Sequence, residues 1–121
     1  MDVKDETTNL ISGDKVSGTA VYNTASEKLG SIHDVMIDKR TGKVAYAVMS
    51  FGGFLGMGES YHPLPWSTLN YNVDQGGYVV NLNREQLEGA PHYGAEDSPR
   101  WDRDYETRVH DYYRAPYYWG M

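Results

Sequence analysis

Histidine, serine and aspartate are the residues of this chain whose types could support chemistry. Placed together, such side chains can bind a metal ion or form a nucleophilic triad. The histidines are His33, His62, His92 and His110. Their spacing matches neither a metal-binding helix nor a zinc knuckle. The sequence therefore predicts no metal and no cofactor, and it favours plain surface positions for the histidines.

A nucleophilic triad has one obvious candidate, formed by Ser31, His33 and Asp34. On a regular β-strand, Ser31 and His33 would share one face and Asp34 would lie on the other. The triad would therefore fail geometrically, and we predict that the protein is not an enzyme. A small hydrolase or a metal-dependent enzyme is the least favoured alternative.

A loop rich in glycine and apolar residues occupies positions 52–58 and carries no reactive group. It lacks the Lys-Ser/Thr pair that completes a phosphate-binding P-loop. Exposed Phe54, Leu55 and Met57 between two strands would need cover from another surface. We predict that these three side chains bind a protein partner, which the sequence does not identify. A flexible connection between strands is the alternative interpretation.

Short β-strands are the elements that must position these residues, because β-type runs alternate with turn residues at intervals of about ten residues. The predicted runs are 17–22, 32–38, 44–51, 59–66, 69–73 and 78–82. Pro63 and Pro65 cannot donate to a β-ladder, which predicts an edge or a break in the fourth run. The third run is apolar on both faces and must be covered on both, so we expect the C-terminal tail to cover one of them.

Two helices are predicted after the strands. Asn83-Arg84-Glu85-Gln86 is a capping-box pattern, which predicts a short helix near residues 84–88 that closes one end of the barrel. Residues 92–121 hold eight of the 16 aromatic residues, an unusual density for a tail. Within them, Trp101, Tyr105, Val109 and Tyr112 recur at helical spacing and predict one apolar helix face.

The apolar face of the tail is expected to be buried, either on its own barrel or on a second copy of the chain. Because Tyr and Trp are enriched at interfaces, we predict partner contacts at the tail as well as at the loop. The tail residues predicted to bind a partner are Trp101, Tyr105, Tyr112 and Tyr113.

Composition argues against several classes of function. The chain has 121 residues, no cysteine and a formal net charge of −6. A chain without a basic run is expected to bind nucleic acid poorly, since affinity for phosphate comes from Lys and Arg. No stretch approaches the ~18 apolar residues of a spanning helix, so no membrane contact is predicted. The first residues lack a secretory signal, which favours a cytoplasmic location.

A series of short motifs between residues 16 and 93 carries a resemblance to a known family. The motifs are Gly18-Thr19-Ala20-Val21-Tyr22, Leu29-Gly30-Ser31-Ile32, Val35-Met36-Ile37-Asp38, Thr41-Gly42-Lys43-Val44-Ala45-Tyr46, Ser50-Phe51-Gly52-Gly53-Phe54-Leu55-Gly56, Leu64-Pro65-Trp66 and Gln86-Leu87-Glu88-Gly89-Ala90-Pro91. In this order the segment resembles the PRC-barrel family, named for the cytoplasmic domain of a photosynthetic reaction-centre protein and shared with a ribosome-maturation factor. The chain looks like the free-standing bacterial form. The resemblance implies a binding or assembly module without a shared active site.

These observations together predict a mainly β fold, a small antiparallel β-barrel of about six strands. We divide the chain into a flexible N-terminal lead-in at 1–13, the PRC-barrel domain at 14–93 and an aromatic-rich, helical C-terminal extension at 94–121. The predicted function is a non-enzymatic interaction or assembly module that forms a homodimer through loop and tail. The alternative is an RNA- or ribosome-associated assistant factor. That function would need a basic face, whose possible members are Lys28, Lys39, Arg40, Lys43 and Arg84.

Overall fold

The computed structural model describes residues 10–52, 60–94 and 96–120. The strands are β1 Ala20–Asn23, β2 Lys28–Ile37, β3 Val44–Phe51, β4 Ser60–Pro65, β5 Asn70–Asn72 and β6 Gly77–Val80. The α-helices are α1 Gly13–Val16, α2 Arg84–Glu88 and α3 Arg103–Tyr113, with 3-10 turns at Trp66–Thr68 and Tyr118–Gly120. The predicted mainly β fold, with six strands, the short helix at 84–88 and the helical tail, is confirmed.

The six strands form one sheet in the order β4-β3-β2-β1-β6-β5. Four neighbouring pairs are antiparallel, while β1 and β6 pair in parallel. The sheet is therefore mixed, where the sequence predicted wholly antiparallel pairing. A parallel pair needs a long connection, and here four other strands lie between β1 and β6 along the chain. The sheet is also not closed, because β4 and β5 are its two edges and the 3-10 turn at Trp66–Thr68 connects them.

The β2–β3 hairpin is the longest pairing in the sheet and shows how local residues set the register. Asp38 Oδ1 accepts from the Arg40 amide at 3.0 Å, and the Gly42 amide donates to the Asp38 carbonyl at 2.8 Å. Gly42 has a φ of 76°, a left-handed conformation that glycine adopts without a steric penalty. The prolines of β4 lie at the sheet edge, where a missing donor is tolerated, as predicted.

The core lies on the inner face of the sheet and continues into the helices. Its buried members include Val21, Ile32, Met49, Leu64 and Leu87. Leu87 reaches the core from α2, whose first turn is fixed by a complete capping box between Asn83 and Gln86. Helix α2 therefore covers one end of the core.

Some predictions concern residues that the structure does not describe. Phe54, Leu55 and Met57 lie outside the described ranges, so their partner contacts stay predictions. The boundaries of the lead-in, the barrel domain and the extension also stay predictions. Within the described ranges, no helix combines the length and the apolar character that crossing a bilayer requires.

Candidate binding face

The outer face of the sheet is covered by the chain's own C-terminal segment. Helix α3 begins after Asp102, whose carboxylate accepts from the Tyr105 amide at 3.0 Å, and it ends at Arg114 in a left-handed conformation. Between these caps, Val109 is 0% exposed and packs with Ala45 and Tyr46 of β3. Strand β3 is apolar on both faces, and the expectation that the tail covers one of these faces is confirmed.

The predicted partner-binding aromatics of the tail take different positions in this packing. Trp101, Tyr105 and Tyr113 are partly buried against the cluster of Ala45, Tyr46 and Val109. Trp101 precedes α3 and is not on the helix, contrary to the predicted helix face. Tyr105, Val109 and Tyr113 form that face, at spacings of four residues.

Tyr112 was predicted on the same helix face as Val109, but the residue is 41% exposed. Its hydroxyl donates to the Gln86 carbonyl at 2.6 Å, and this hydrogen bond connects α3 to α2. The difference arises because Tyr113, four residues after Val109, takes the position against the sheet.

Buried polar groups join the tail to β3, and the sequence analysis missed them. The Tyr46 hydroxyl donates to Glu106 Oε1 at 3.1 Å, and the Tyr118 hydroxyl donates to the same oxygen. His110 Nε2 lies 2.8 Å from the Tyr46 hydroxyl, whose proton is already given to Glu106. The Tyr46 oxygen therefore accepts from His110, which assigns a proton to Nε2.

Burial keeps the Tyr46, Tyr118 and His110 side chains of this network in their neutral forms. Burial raises the pKa of Tyr46 far above its usual value and raises the pKa of Tyr118 to about 12, and Glu106 adds to both effects. Burial lowers the pKa of His110, an effect that the backbone at Ala115 and Pro116 partly opposes. The network holds the tail in place by charge-assisted hydrogen bonds to Glu106, whose second oxygen lies 3.7 Å from Arg103 Nη1.

The prediction that the histidines occupy surface positions is wrong for two of them, which are buried. His110 is 2% exposed and His62 is 1% exposed. His62 Nε2 lies 2.8 Å from Ser60 Oγ, and its ring stacks on His92 with centroids 5.1 Å apart. Period-two alternation with Leu64 would have placed His62 on the inward face of β4. No spacing signal marked His110, because its helix neighbour four residues earlier, Glu106, is a charged residue whose burial only the structure shows.

A β-bulge in β2 corrects the expectation that His33 and Asp34 lie on opposite faces. Ile32 pairs with Met49, yet Asp34 pairs with the next residue of β3, Val48, so one residue of β2 is extra. Both His33 and Asp34 consequently line one recess on the outer face. Ser31 Oγ lies 3.4 Å from Ser50 Oγ. Ser31 thus contacts a β3 hydroxyl, and the triad is not assembled in the described part of the chain.

The recess has a volume of about 480 Å³ and lies between β2, β4 and the segment that leads into α3. Besides His33 and Asp34, its lining includes Tyr61, Tyr93 and Trp101. A second cleft, of about 660 Å³, lies between the β2–β3 turn and the end of the tail. In that cleft the Arg103 guanidinium lies 4.0 Å from the Trp119 ring centroid. Across the described ranges, no group of three or more His, Asp or Glu side chains is placed to bind a metal.

Comparison with known proteins identifies the scaffold that presents this face. Residues 9–87 match the model of the PRC-barrel domain, about two thirds of the chain. The chain belongs to the PRC-barrel family. The match ends in α2, so the α3 segment that covers the outer face lies beyond the matched PRC-barrel region.

A curated relative of this PRC-barrel protein is an uncharacterized protein from Deinococcus radiodurans. The two are 25% identical over 81 residues, which is 67% of this chain and 28% of the relative. The chain thus spans little more than a quarter of the length of that relative. The resemblance to the PRC-barrel family seen in the sequence is confirmed.

Proposed function

We propose that this PRC-barrel protein is a non-enzymatic interaction or assembly module that associates with a second copy of itself. The observation that carries the proposal is the division of the tail aromatics into two sets. One set packs on the sheet, while Tyr112 and Tyr117 face outward with 41% and 37% of their surface exposed. Tyrosine is enriched at interfaces because its ring is apolar and its hydroxyl tolerates water.

On this proposal the predicted partner-binding residues have different roles. Trp101, Tyr105 and Tyr113 act indirectly, by holding α3 on β3. Direct contact with the second copy falls to Tyr112 and to the loop side chains predicted from the sequence, Phe54, Leu55 and Met57. The loop joins β3 to β4, the two strands that carry the covered face.

The energetics of association are adequate for such an interface. At about 25 cal/mol per Å², burial of ~800 Å² of apolar surface supplies roughly 20 kcal/mol of gross free energy. Lost translational and rotational freedom costs about 4–15 kcal/mol, and the ordering of side chains and the desolvation of polar groups draw on the remainder.

Size-exclusion chromatography with light scattering tests the proposal on the full chain. Removing the tail is unsuitable, because it would expose Ala45 and Tyr46 and cause non-specific aggregation. Point variants avoid this problem. We expect a dimer for the wild type and a larger monomer fraction for Phe54→Ser/Leu55→Ser and for Tyr112→Ser/Tyr117→Ser.

The matched control is Tyr71→Ser, since Tyr71 is an exposed tyrosine on edge strand β5. It should leave the dimer intact. Thermal unfolding of each variant checks that the fold is retained. A wild-type chain that stays monomeric at every concentration, or a dimer weakened only by the control, would contradict the proposal.

The alternative function in RNA binding receives less support from the placement of the basic residues. Lys39, Arg40 and Lys43 lie around the turn after β2, whereas Lys28 begins β2 and its carbonyl accepts from Arg84. A strand of ten residues spans about 30 Å, so the five cations form two separate groups. Arg84 is moreover 3.5 Å from Glu27, which offsets its charge. Retention on RNA at low salt would favour the alternative.

A further inference from the structure

We propose that the recess lined by Tyr61, Tyr93, Trp101, His33 and Asp34 binds an alkylammonium cation. This binding site goes beyond self-association and does not depend on it. We call it the ring recess. Its volume of about 480 Å³ falls within the usual range for small-molecule sites, roughly 300–1,000 Å³.

The aromatic walls of the ring recess are fixed by contacts within the chain. The Tyr61 amide donates to the Tyr93 carbonyl at 2.8 Å, and the Tyr93 amide donates back at 3.0 Å. This two-way bridge holds the two rings with centroids 5.8 Å apart and planes at 47°. The imidazole of His33 stacks on Tyr61 at 4.3 Å.

Trp101 forms the wall that the tail contributes. Its indole lies 5.4 Å from the Tyr46 ring and 5.3 Å from the Tyr105 ring, measured between centroids. Because these contacts order Trp101 before any ligand arrives, a ligand loses little free energy in arranging the site.

The electrostatics of the ring recess favours a cation. Aromatic rings carry negative charge on their faces, which attracts an organic cation within about 6 Å. Asp34 adds a formal negative charge, and no ion pair to it occurs within the described ranges. The negative charge of Asp34 also acts on Tyr93. Burial raises the pKa of Tyr93, and Asp34 adds to this rise.

The chemistry of the lining selects among possible ligands. An anion would be repelled by Asp34, and a divalent metal would find one carboxylate and ring faces in place of several oxygen ligands. A methylated alkylammonium group such as that of choline has no N–H donors and so needs no hydrogen-bond acceptors. Aromatic ring faces and one carboxylate are enough to stabilise its positive charge. The cation could belong to a free small molecule or to a methylated lysine side chain of a protein.

Titration of the full chain tests the site with defined probes. Choline is compared with 3,3-dimethylbutan-1-ol, which has the same shape but carries carbon in place of the charged nitrogen. Binding is followed through the Trp101 indole signal in NMR spectra. We expect choline to bind and to bind about tenfold or more tightly than the neutral alcohol, the difference that cation–π contact and one carboxylate provide.

Asp34→Asn is the decisive variant because it removes the charge and keeps the Oδ1 that accepts from the Val35 amide at 2.8 Å. We expect choline affinity to fall about fivefold to tenfold. Asp74→Asn, a charge removal in the turn between β5 and β6, is the matched control and should leave affinity unchanged. Trp101→Leu should also weaken binding, provided that its thermal unfolding shows a folded protein.

A peptide with one trimethyl-lysine, compared with tetramethylammonium, distinguishes the two sources of the cation. Tighter binding of the peptide assigns a protein side chain, and tighter binding of tetramethylammonium assigns a free small molecule. Equal affinity for choline and the neutral alcohol, unchanged choline affinity in Asp34→Asn, or no binding of any probe would overturn the proposal. Asp34→Asn should leave the oligomeric state unchanged, so that failure here and failure of self-association are separate results.

Discussion

The hydroxyl of Tyr46 and Nε2 of His110 lie 2.8 Å apart in a buried hydrogen bond that joins residues 64 positions apart in the sequence. Tyr46 is on β3 and His110 is on α3, so the bond fixes the tail to the outer face of the sheet. The same hydroxyl donates to Glu106, so one oxygen serves two groups of the helix. The position of α3 is therefore set by polar geometry in addition to apolar burial.

Tyr46→Phe should weaken the attachment of the tail. In the variant, buried His110 Nε2 loses its acceptor and Glu106 loses one of its donors. Leaving these buried groups unpaired costs about 1–3 kcal/mol of unfolding free energy. Chemical denaturation measures the loss, and faster amide exchange in α3 locates it. Tyr22→Phe on β1 is the control and should change little. Equal losses in both variants would argue against a role for the network.

Val109→Ala should destabilise the protein through packing alone. Val109 is 0% exposed between α3 and β3, so the variant removes buried methyl groups and leaves a small cavity. We expect a loss of about 1–3 kcal/mol in unfolding free energy, measured by denaturant titration. Val73→Ala provides the same chemical change at a site that is 64% exposed and should be nearly neutral. A neutral Val109→Ala would mean that α3 is not packed as described.

Acid should destabilise the fold through His62. Burial, with a smaller contribution from His92, lowers the pKa of His62 from 6.5 to about 4. Between these values the unfolded chain binds more protons than the folded chain, so unfolding free energy falls as pH drops from 6.5 towards 4. The loss is on the order of 3 kcal/mol, and the lowered pKa of His110 acts in the same direction.

Unfolding at a series of pH values measures this dependence. His62→Gln should show a shallower fall between pH 6.5 and 4, even if it is less stable at neutral pH. Val73→Ala, which removes no titratable group and lies at an exposed position, is the control and should keep the wild-type slope. A slope that is unchanged in His62→Gln would assign the acid sensitivity to other groups.

Gly30→Ala should disrupt the β2–β3 pairing. A Cβ at Gly30 would collide with the carbonyl oxygen of Ser50, a backbone atom that cannot move without breaking the ladder. We expect a loss of about 3 kcal/mol, near the upper end for overpacked sites, measured by thermal and chemical unfolding. Gly13→Ala is the control, since no atom lies within 4 Å of its added Cβ. If Gly30→Ala keeps wild-type stability, the close approach of the two strands is wrong.

The sequence by itself determined the six strands, helices α2 and α3 and the family of this protein, but not the short helix α1. Turn residues at 38–42 and 74–77, the capping box before α2 and the apolar run of β3 are all patterns of neighbouring residues. Local backbone preferences act over such short distances, which is why these predictions succeeded. The helix spacing from Tyr105 to Val109 likewise predicted the face of the tail that is buried.

Only the tertiary structure decided which of these elements meet. The parallel pairing of β1 with β6, the bulge that brings His33 and Asp34 to one recess, and the contact of Tyr46 with Glu106 and His110 each join residues by packing. Such contacts depend on shape and on desolvation across the whole chain, and spacing along the sequence does not encode them. The tail packs on the sheet of its own chain, because burial of the apolar outer face of β3 against Val109 removes both surfaces from water.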